Sequence, residues 1–166
     1  KLGDIMKQIS TDIAIIGAGL AGLYTALNID SNFRVDIIVK EDLFDTNSRL
    51  AQGGIAGELN LNVSSLESHI EDTLKAGAYL NDVNAVKVLV ENASSNIKKL
   101  MEYNVLFDRD SEGNILLTKE GGHSSKRILH AGGDSTGKDI MRAIREECLT
   151  RKNIHIHENT MAVNLI

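Results

Sequence analysis

The sequence predicts an α/β protein, a Rossmann-like nucleotide-binding domain with a mostly parallel sheet and an inserted β-hairpin. Three observations predict it. Thr11 to Ile16 (TDIAII) is a short run, apolar after its first two residues, as expected of a strand buried on both faces. It runs into Gly17-Ala18-Gly19-Leu20-Ala21-Gly22, a G-x-G-x-x-G turn, with Leu23, Ala26 and Leu27 following at helical spacing. Arg34 to Val39 (RVDIIV) is a second apolar run. Strand, glycine turn, helix and strand make one βαβ unit, which is right-handed in nearly all known cases.

In such a turn the first glycine permits the tight bend, the second lets the backbone approach a pyrophosphate, and the third lets helix and strand pack closely. The phosphates then meet N–H groups and the positive end of the helix dipole. The flanking strands, more than the motif, point to dinucleotide binding. The ribose contact stays open on the residues alone. Glu41 lies near the spacing of the acidic residue that accepts ribose hydroxyls, but Lys40 precedes it, and Lys40-Glu41-Asp42 reads as a solvated strand end.

Glu41 to Leu61 lacks clear periodicity and carries Gly53, Gly54 and Gly57, the marks of a long functional loop. Within it, Asn47-Ser48-Arg49-Leu50-Ala51-Gln52-Gly53-Gly54 sets two adjacent glycines after an amide and small side chains. Such a stretch can lie flat against a planar ring and offer it N–H donors; a flexible surface loop is the other reading. Ser64-Ser65-Leu66-Glu67 is a capping box opening a helix to about Ala76, with Gly77 as its stop. Asp82 caps a longer helix with Val86, Leu89, Val90, Ala93, Ile97, Leu100 and Met101 on one face. Val105 to Phe107 and Ile115 to Thr118, around a turn at Asp110 to Asn114, predict the hairpin. A glycine-bearing loop, Lys119 to Lys126, leads to a short strand, Arg127 to Ala131. One of Asp134, Ser135 and Thr136 caps a helix through about Leu149. Ile154 to His157 and Met161 to Ile166 read as strands.

The chain's 166 residues make one domain of ordinary size. With 18 basic and 23 acidic residues and no basic run, nucleic acid and anionic membrane are not expected partners. No apolar stretch approaches the roughly 18 residues of a membrane span. The single Cys148 excludes an internal disulfide and a thiolate cage. The chain reads as cytoplasmic. His123, His130, His155 and His157 lack acidic or thiolate partners at ligand spacing and are not read as metal ligands.

GAGLAGLYTALN, AQGGIAG and EGGHSSKRILHAGGDSTG, in this order, resemble the flavoprotein family of succinate dehydrogenase and fumarate reductase. The third stretch most resembles the family's branch that oxidises L-aspartate; Lys119 and the extra glycine in Gly132-Gly133 depart from that branch's usual pattern. The resemblance implies FAD, its pyrophosphate on Gly17, Ala18, Gly19, Leu20, Ala21 and Gly22. It implies Lys40 beside the adenosine ribose, the flavin ring against Asn47 to Gly54, and backbone near Met161 and Ala162 at the adenine. The histidine that attaches covalently to the flavin in part of the family is Asn47 here, implying non-covalent FAD. Glu120, before Gly121-Gly122-His123, would handle the substrate ammonium.

The activity implied is oxidation of L-aspartate to iminoaspartate, with oxygen or fumarate as electron acceptor. This is the first step of NAD biosynthesis through quinolinate, with quinolinate synthase as the partner that consumes the product. A soluble fumarate reductase or succinate dehydrogenase-type flavoprotein, and a non-catalytic flavin-binding module, are the alternatives. The start at Lys1, with Met6 shortly after, reads residues 1–8 as a leader, part of it an addition ahead of Met6, and the resemblance further implies an incomplete chain, with 9–166 as the N-terminal part of the FAD-binding domain. The family's catalytic arginine has no counterpart here.

Overall fold

The computed structural model describes residues 8–59 and 63–166; the leader up to residue 7, and residues 60–62 with the end of the long loop, lie outside the described residues. In chain order the elements are β1 (Ile13–Ile16), α1 (Leu20–Leu27), β2 (Val35–Ile38), a 3-10 turn (Asn47–Leu50), β3 (Ile55–Ala56), α2 (Val63–Ala76), α3 (Val83–Glu102), β4 (Leu117–Thr118), β5 (Ile128–Leu129), α4 (Thr136–Thr150) and β6 (Ile154–His157). They fall into two compact units: residues up to 46 together with 145–166, and residues 47–144.

The first unit is built on a parallel sheet of order β1-β2-β6. Ile13 pairs with Val35, and Val35 in turn with Ile154. The α1 helix buries Leu23, Ala26 and Leu27, as their spacing predicts. In β2, Val35, Asp36 and Ile37 are buried. The strand expected to be buried on both faces is therefore β2. Half-buried and exposed positions alternate along β1 instead, and Ile16 is 63% exposed. The reason is position: β2 is central and β1 lies at the edge of these three strands.

Asp36 is the buried exception in β2. Its carboxylate accepts from Arg34 (Nε 2.8 Å) and contacts His157 Nε2 at 2.5 Å. The Arg34 guanidinium, chiefly, and then His157 outweigh burial and hold the carboxyl well below the usual range.

The second unit carries an antiparallel sheet of order β3-β5-β4, with α2 packed on α3. The long loop is thus interrupted by an element that periodicity cannot show, since β3 has only two residues. The expected hairpin shrinks to a single bridge, Arg109 to Ile115, behind a turn in which the Asp110 carboxylate accepts from the Glu112 and Asn114 amides. The main pairing of this region is instead β4 with β5. Ser64 sits inside the first turn of α2 rather than at its cap, and the left-handed residues after that helix are Ala78 and Tyr79, not Gly77. Asp82 caps α3 as expected, accepting from the amides of Asn84 and Ala85. The buried stripe of α3 runs through Val86, Val90, Ser94, Ile97 and Leu100, while Leu89 is exposed. The helix is rotated slightly from the purely apolar choice, because i, i+4 geometry admits a small Ser94 beneath Val90.

At α4, Asp139 N donates to the Ser135 carbonyl, placing Ser135 at the cap, while Thr136 Oγ1 turns back to accept from Ala131 N. The expected strand Met161 to Ile166 is irregular and exposed. Apolar composition alone makes no strand; a ladder needs a partner, and no described strand pairs with it.

Candidate functional site

In the first unit the glycine turn closes on the carboxyl end of the sheet. Gly17 N donates to Ile38 O at 2.9 Å, and Gly17 takes φ +100°. A Cβ on Gly22 would lie 2.1 Å from the Gly17 carbonyl oxygen, so only glycine lets α1 start this close to the turn. Gly19 is the N-cap and supplies no side-chain cap, and the first turn of α1 holds no acid. The N-terminal N–H groups of a helix lack intrahelical acceptors. A cap without side chain or negative charge therefore fits a pyrophosphate.

The same sheet edge gathers the other predicted residues of this unit. Lys40 leaves β2 with its ammonium exposed, 3.7 Å from Glu41. Beyond β6, Asn159 N donates to Glu41 O and Thr160 N to Val39 O. These bonds lay the chain along the exit of β2, and Met161 and Ala162 follow directly. Ligands of parallel α/β sheets bind outside the carboxyl ends of the strands, and the turn, Lys40 and Met161 all lie there.

In the second unit, Asn47, Ser48, Arg49 and Leu50 form the 3-10 turn, and Ala51, Gln52, Gly53 and Gly54 lead into β3. Ala51 O accepts from Gly137 N at 3.0 Å. A Cβ on Gly137 would come within 2.2 Å of Ser48 O. The loop thus rests on the first turn of α4, and Gly137 permits that approach. Gly53 has open space where a side chain would stand, which suits a planar ring laid on the backbone.

Glu120 belongs to the same unit. Its carboxylate is about half exposed, with Oε1 2.9 Å from His130 Nε2. Its carbonyl accepts from His123 N.

Sequence reasoning missed what anchors this loop. Arg127, read only as the head of a short strand, is fully buried. Its Nε donates to Glu58 at 2.6 Å, Nη1 to Asp72 at 2.5 Å and Nη2 to Ser68 at 3.0 Å. Asp72 also accepts from the amide and hydroxyl of Ser124 at 2.6 and 2.7 Å. One arginine therefore ties the Glu120 loop to α2 and to the end of β3. The only signal was a cation abutting the apolar Ile128-Leu129.

Burial works to raise the Asp72 pKa, but the Ser124 amide, Arg127 and the Ser124 hydroxyl outweigh it and hold the carboxyl well below the usual range. Burial, followed by the Arg127 charge, pushes the neighbouring His69 down. A carboxyl depressed below its unfolded value, about 3.9 for aspartate, stabilises the fold above that value. That stabilisation is lost as pH falls through the folded pKa. Below about pH 4 the native state is therefore expected to weaken steadily, and Asp72→Asn to flatten that acid limb. Denaturation midpoints across the acid range check this; an unchanged slope in the variant would count against it.

The sequence model of the FAD binding domain family matches residues 12–166. The chain belongs to that family, and its cofactor is FAD. Among curated relatives, L-aspartate oxidase of Clostridium acetobutylicum is 39% identical over 159 residues, covering 96% of this chain and 36% of that protein. L-aspartate oxidase of a Nostoc species is 42% identical over 154 residues, covering 93% and 26%. Among solved structures, an E. coli quinol fumarate reductase superposes with TM-score 0.86 at 25% identity, covering 93% of this chain and 26% of that one. Mycobacterium smegmatis Sdh1 gives TM-score 0.85 at 27% identity, covering 93% and 28%. The chain thus spans about a third or less of the length of these relatives. The glycine turn, with its bare helix cap, fits the pyrophosphate of that cofactor.

Proposed function

We propose that the protein takes part in the oxidation of L-aspartate to iminoaspartate. With oxygen the products are iminoaspartate and hydrogen peroxide; with fumarate they are iminoaspartate and succinate. The observation that carries this reading is a carboxylate, Glu120, one side chain away from the loop assigned to the flavin ring: Glu120 contacts His130, and His130 abuts Gly54. An acceptor-only group there favours a substrate with an ammonium on the reacting carbon over one bearing two carboxylates alone.

FAD, when bound, supplies the two-electron acceptor for this chemistry. The chain's own residues bind and orient. The turn Gly17 to Gly22 holds the pyrophosphate and Lys40 the ribose. Backbone at Met161 and Ala162 meets the adenine. Asn47 to Gly54 lie along the ring, and Glu120 binds the substrate ammonium. Identities of 38 to 42% to L-aspartate oxidases support the assignment. We place the reaction in the cytoplasm, at the head of a route to NAD through quinolinate, with quinolinate synthase consuming the iminoaspartate. Cys148, a lone buried thiol pushed up to about 12 by burial, fits a reducing compartment. No helix among the described residues is long and apolar enough to cross a membrane.

Asn47 carries an amide with no nucleophilic nitrogen, so the FAD is expected to be non-covalent. Acid precipitation of the holoenzyme should release all yellow colour to the supernatant; flavin retained in the pellet contradicts this.

The likeness to fumarate reductase structures favours a second reading, a fumarate-reducing flavoprotein. Glu120→Gln separates the two. Losing a charge-assisted hydrogen bond costs about 1.5–3 kcal/mol, so L-aspartate oxidation should fall about 10- to 150-fold. Fumarate has no ammonium, and its reduction should survive. Equal losses in both activities, at matched FAD occupancy, would remove the support that Glu120 gives.

A further inference from the structure

The contact between Glu120 and His130 joins residues ten positions apart, the first inside the loop 119–126 and the second beyond it. The His130 ring is set from two directions. Its Nε2 lies 2.9 Å from Glu120 Oε1. The same nitrogen would stand 3.0 Å from a Cβ on Gly54, whose position is also bounded by Ile128 Cγ2 at 2.3 Å and Leu129 O at 2.7 Å. The ring therefore borders, together with Ile128 and Leu129, the space that a side chain at residue 54 would take, and Gly54 leaves it room. His130 follows β5 directly, and its carbonyl accepts from Asp108 N at 2.8 Å, so its backbone is held beside the Phe107–Ala131 bridge. Its side chain is 19% exposed, against 47% for the Glu120 side chain. A constrained ring thus meets a carboxylate at the end of a long, flexible side chain.

We propose that His130 is the positioning residue for Glu120: it fixes the carboxylate where the substrate ammonium binds, and so contributes to the preference for an amino dicarboxylate. The inference rests on the proposed role of Glu120. Since a carboxylate only accepts, the state that suits the pair carries the proton on Nε2. The cost that His130 removes is rotamer freedom. An unheld glutamate loses considerable side-chain entropy on ordering, which otherwise weakens amine binding. A residue acting in this way moves KM for the amine substrate more than kcat, and leaves substrates without the amine alone.

The test uses the FAD-loaded holoenzyme with His130→Leu, His130→Gln, Glu120→Gln and the double variant His130→Leu/Glu120→Gln, at matched FAD occupancy. The expected result is a rise of about 10-fold in KM for L-aspartate in His130→Leu. Fumarate reduction should stay within about twofold, and so should the dissociation constant of succinate followed by the flavin absorbance. His130→Gln, which keeps an N–H donor, should recover most of the loss. In the double variant the leucine should add little to the effect of Glu120→Gln, since the group it positions is already changed. Equal losses for L-aspartate and fumarate, absence of rescue by glutamine, or additive losses in the double variant would each overturn the inference. If Glu120→Gln itself leaves L-aspartate kinetics unchanged, the role of Glu120 fails first and the inference falls with it; if only the His130 variants are silent, the inference alone fails.

Discussion

Replacing Arg127 by methionine is expected to lower the unfolding free energy by about 3–5 kcal/mol, the range found when one partner of a buried ion pair is removed. Arg127 has no exposed surface, and it is the cation between Glu58 and Asp72, whose side chains are only 12% and 15% exposed. Without it two carboxylates remain in a poorly solvated site, with the amide and hydroxyl of Ser124, both donating to Asp72, as partial compensation. Lysine should rescue in part only: it restores the charge, but not a fork that donates to Glu58, Asp72 and Ser68 at once. The combination Arg127→Met with Glu58→Gln and Asp72→Asn should recover much of the loss, because the penalty lies in the uncompensated charges. Urea unfolding of the four proteins is the measurement. A cost below about 1 kcal/mol for Arg127→Met would show that the network is a solvated surface feature.

Gly22→Ala is expected to weaken FAD binding by about 100-fold or more, equivalent to about 2.7 kcal/mol. The new Cβ would stand 2.1 Å from Gly17 O and 3.3 Å from Ile15 Cγ2. Backbone cannot yield there as the tip of a side chain can, so α1 must move away from the turn. The amides of that turn are then no longer presented together to the pyrophosphate, and charge-assisted bonds worth about 1.5–3 kcal/mol each are weakened. Overpacking also costs the apoprotein about 1–3 kcal/mol. Flavin titration of the apoprotein, beside its melting temperature, separates the two effects. A variant that keeps its FAD affinity while the melt shifts would mean that the glycine serves helix packing alone.

How much could be read in advance depended on the distance between the residues that interact. The glycine turn was legible because strand, turn and helix are local and their periods differ. Asp82 was legible because a cap bonds residues two and three positions on. Leu89 was misread and Ser94 overlooked, since composition says which residues are apolar but not the angle at which α3 faces its neighbours. The hairpin was placed correctly at its turn and wrongly along its arms, because Ile128-Leu129, from beyond the next loop, takes the pairing. In the candidate site, Gly17 to Gly22 could be named from their motif, and Lys40, Asn47 to Gly54, Glu120, Met161 and Ala162 only from a family resemblance; the partners of their side chains could be named from neither.

By itself the sequence determined the α/β class, the βαβ start and its glycine turn, for these rest on spacings within one or two turns of chain. Tertiary structure alone decided that β2 rather than β1 is the buried strand, that Met161 to Ile166 forms no strand, and that Arg127 joins Glu58 to Asp72 across separations of 69 and 55 residues. It also decided that Glu120 meets His130. Burial and ion pairing are properties of what the chain brings together from far apart, and no local periodicity encodes the neighbour that a side chain will find.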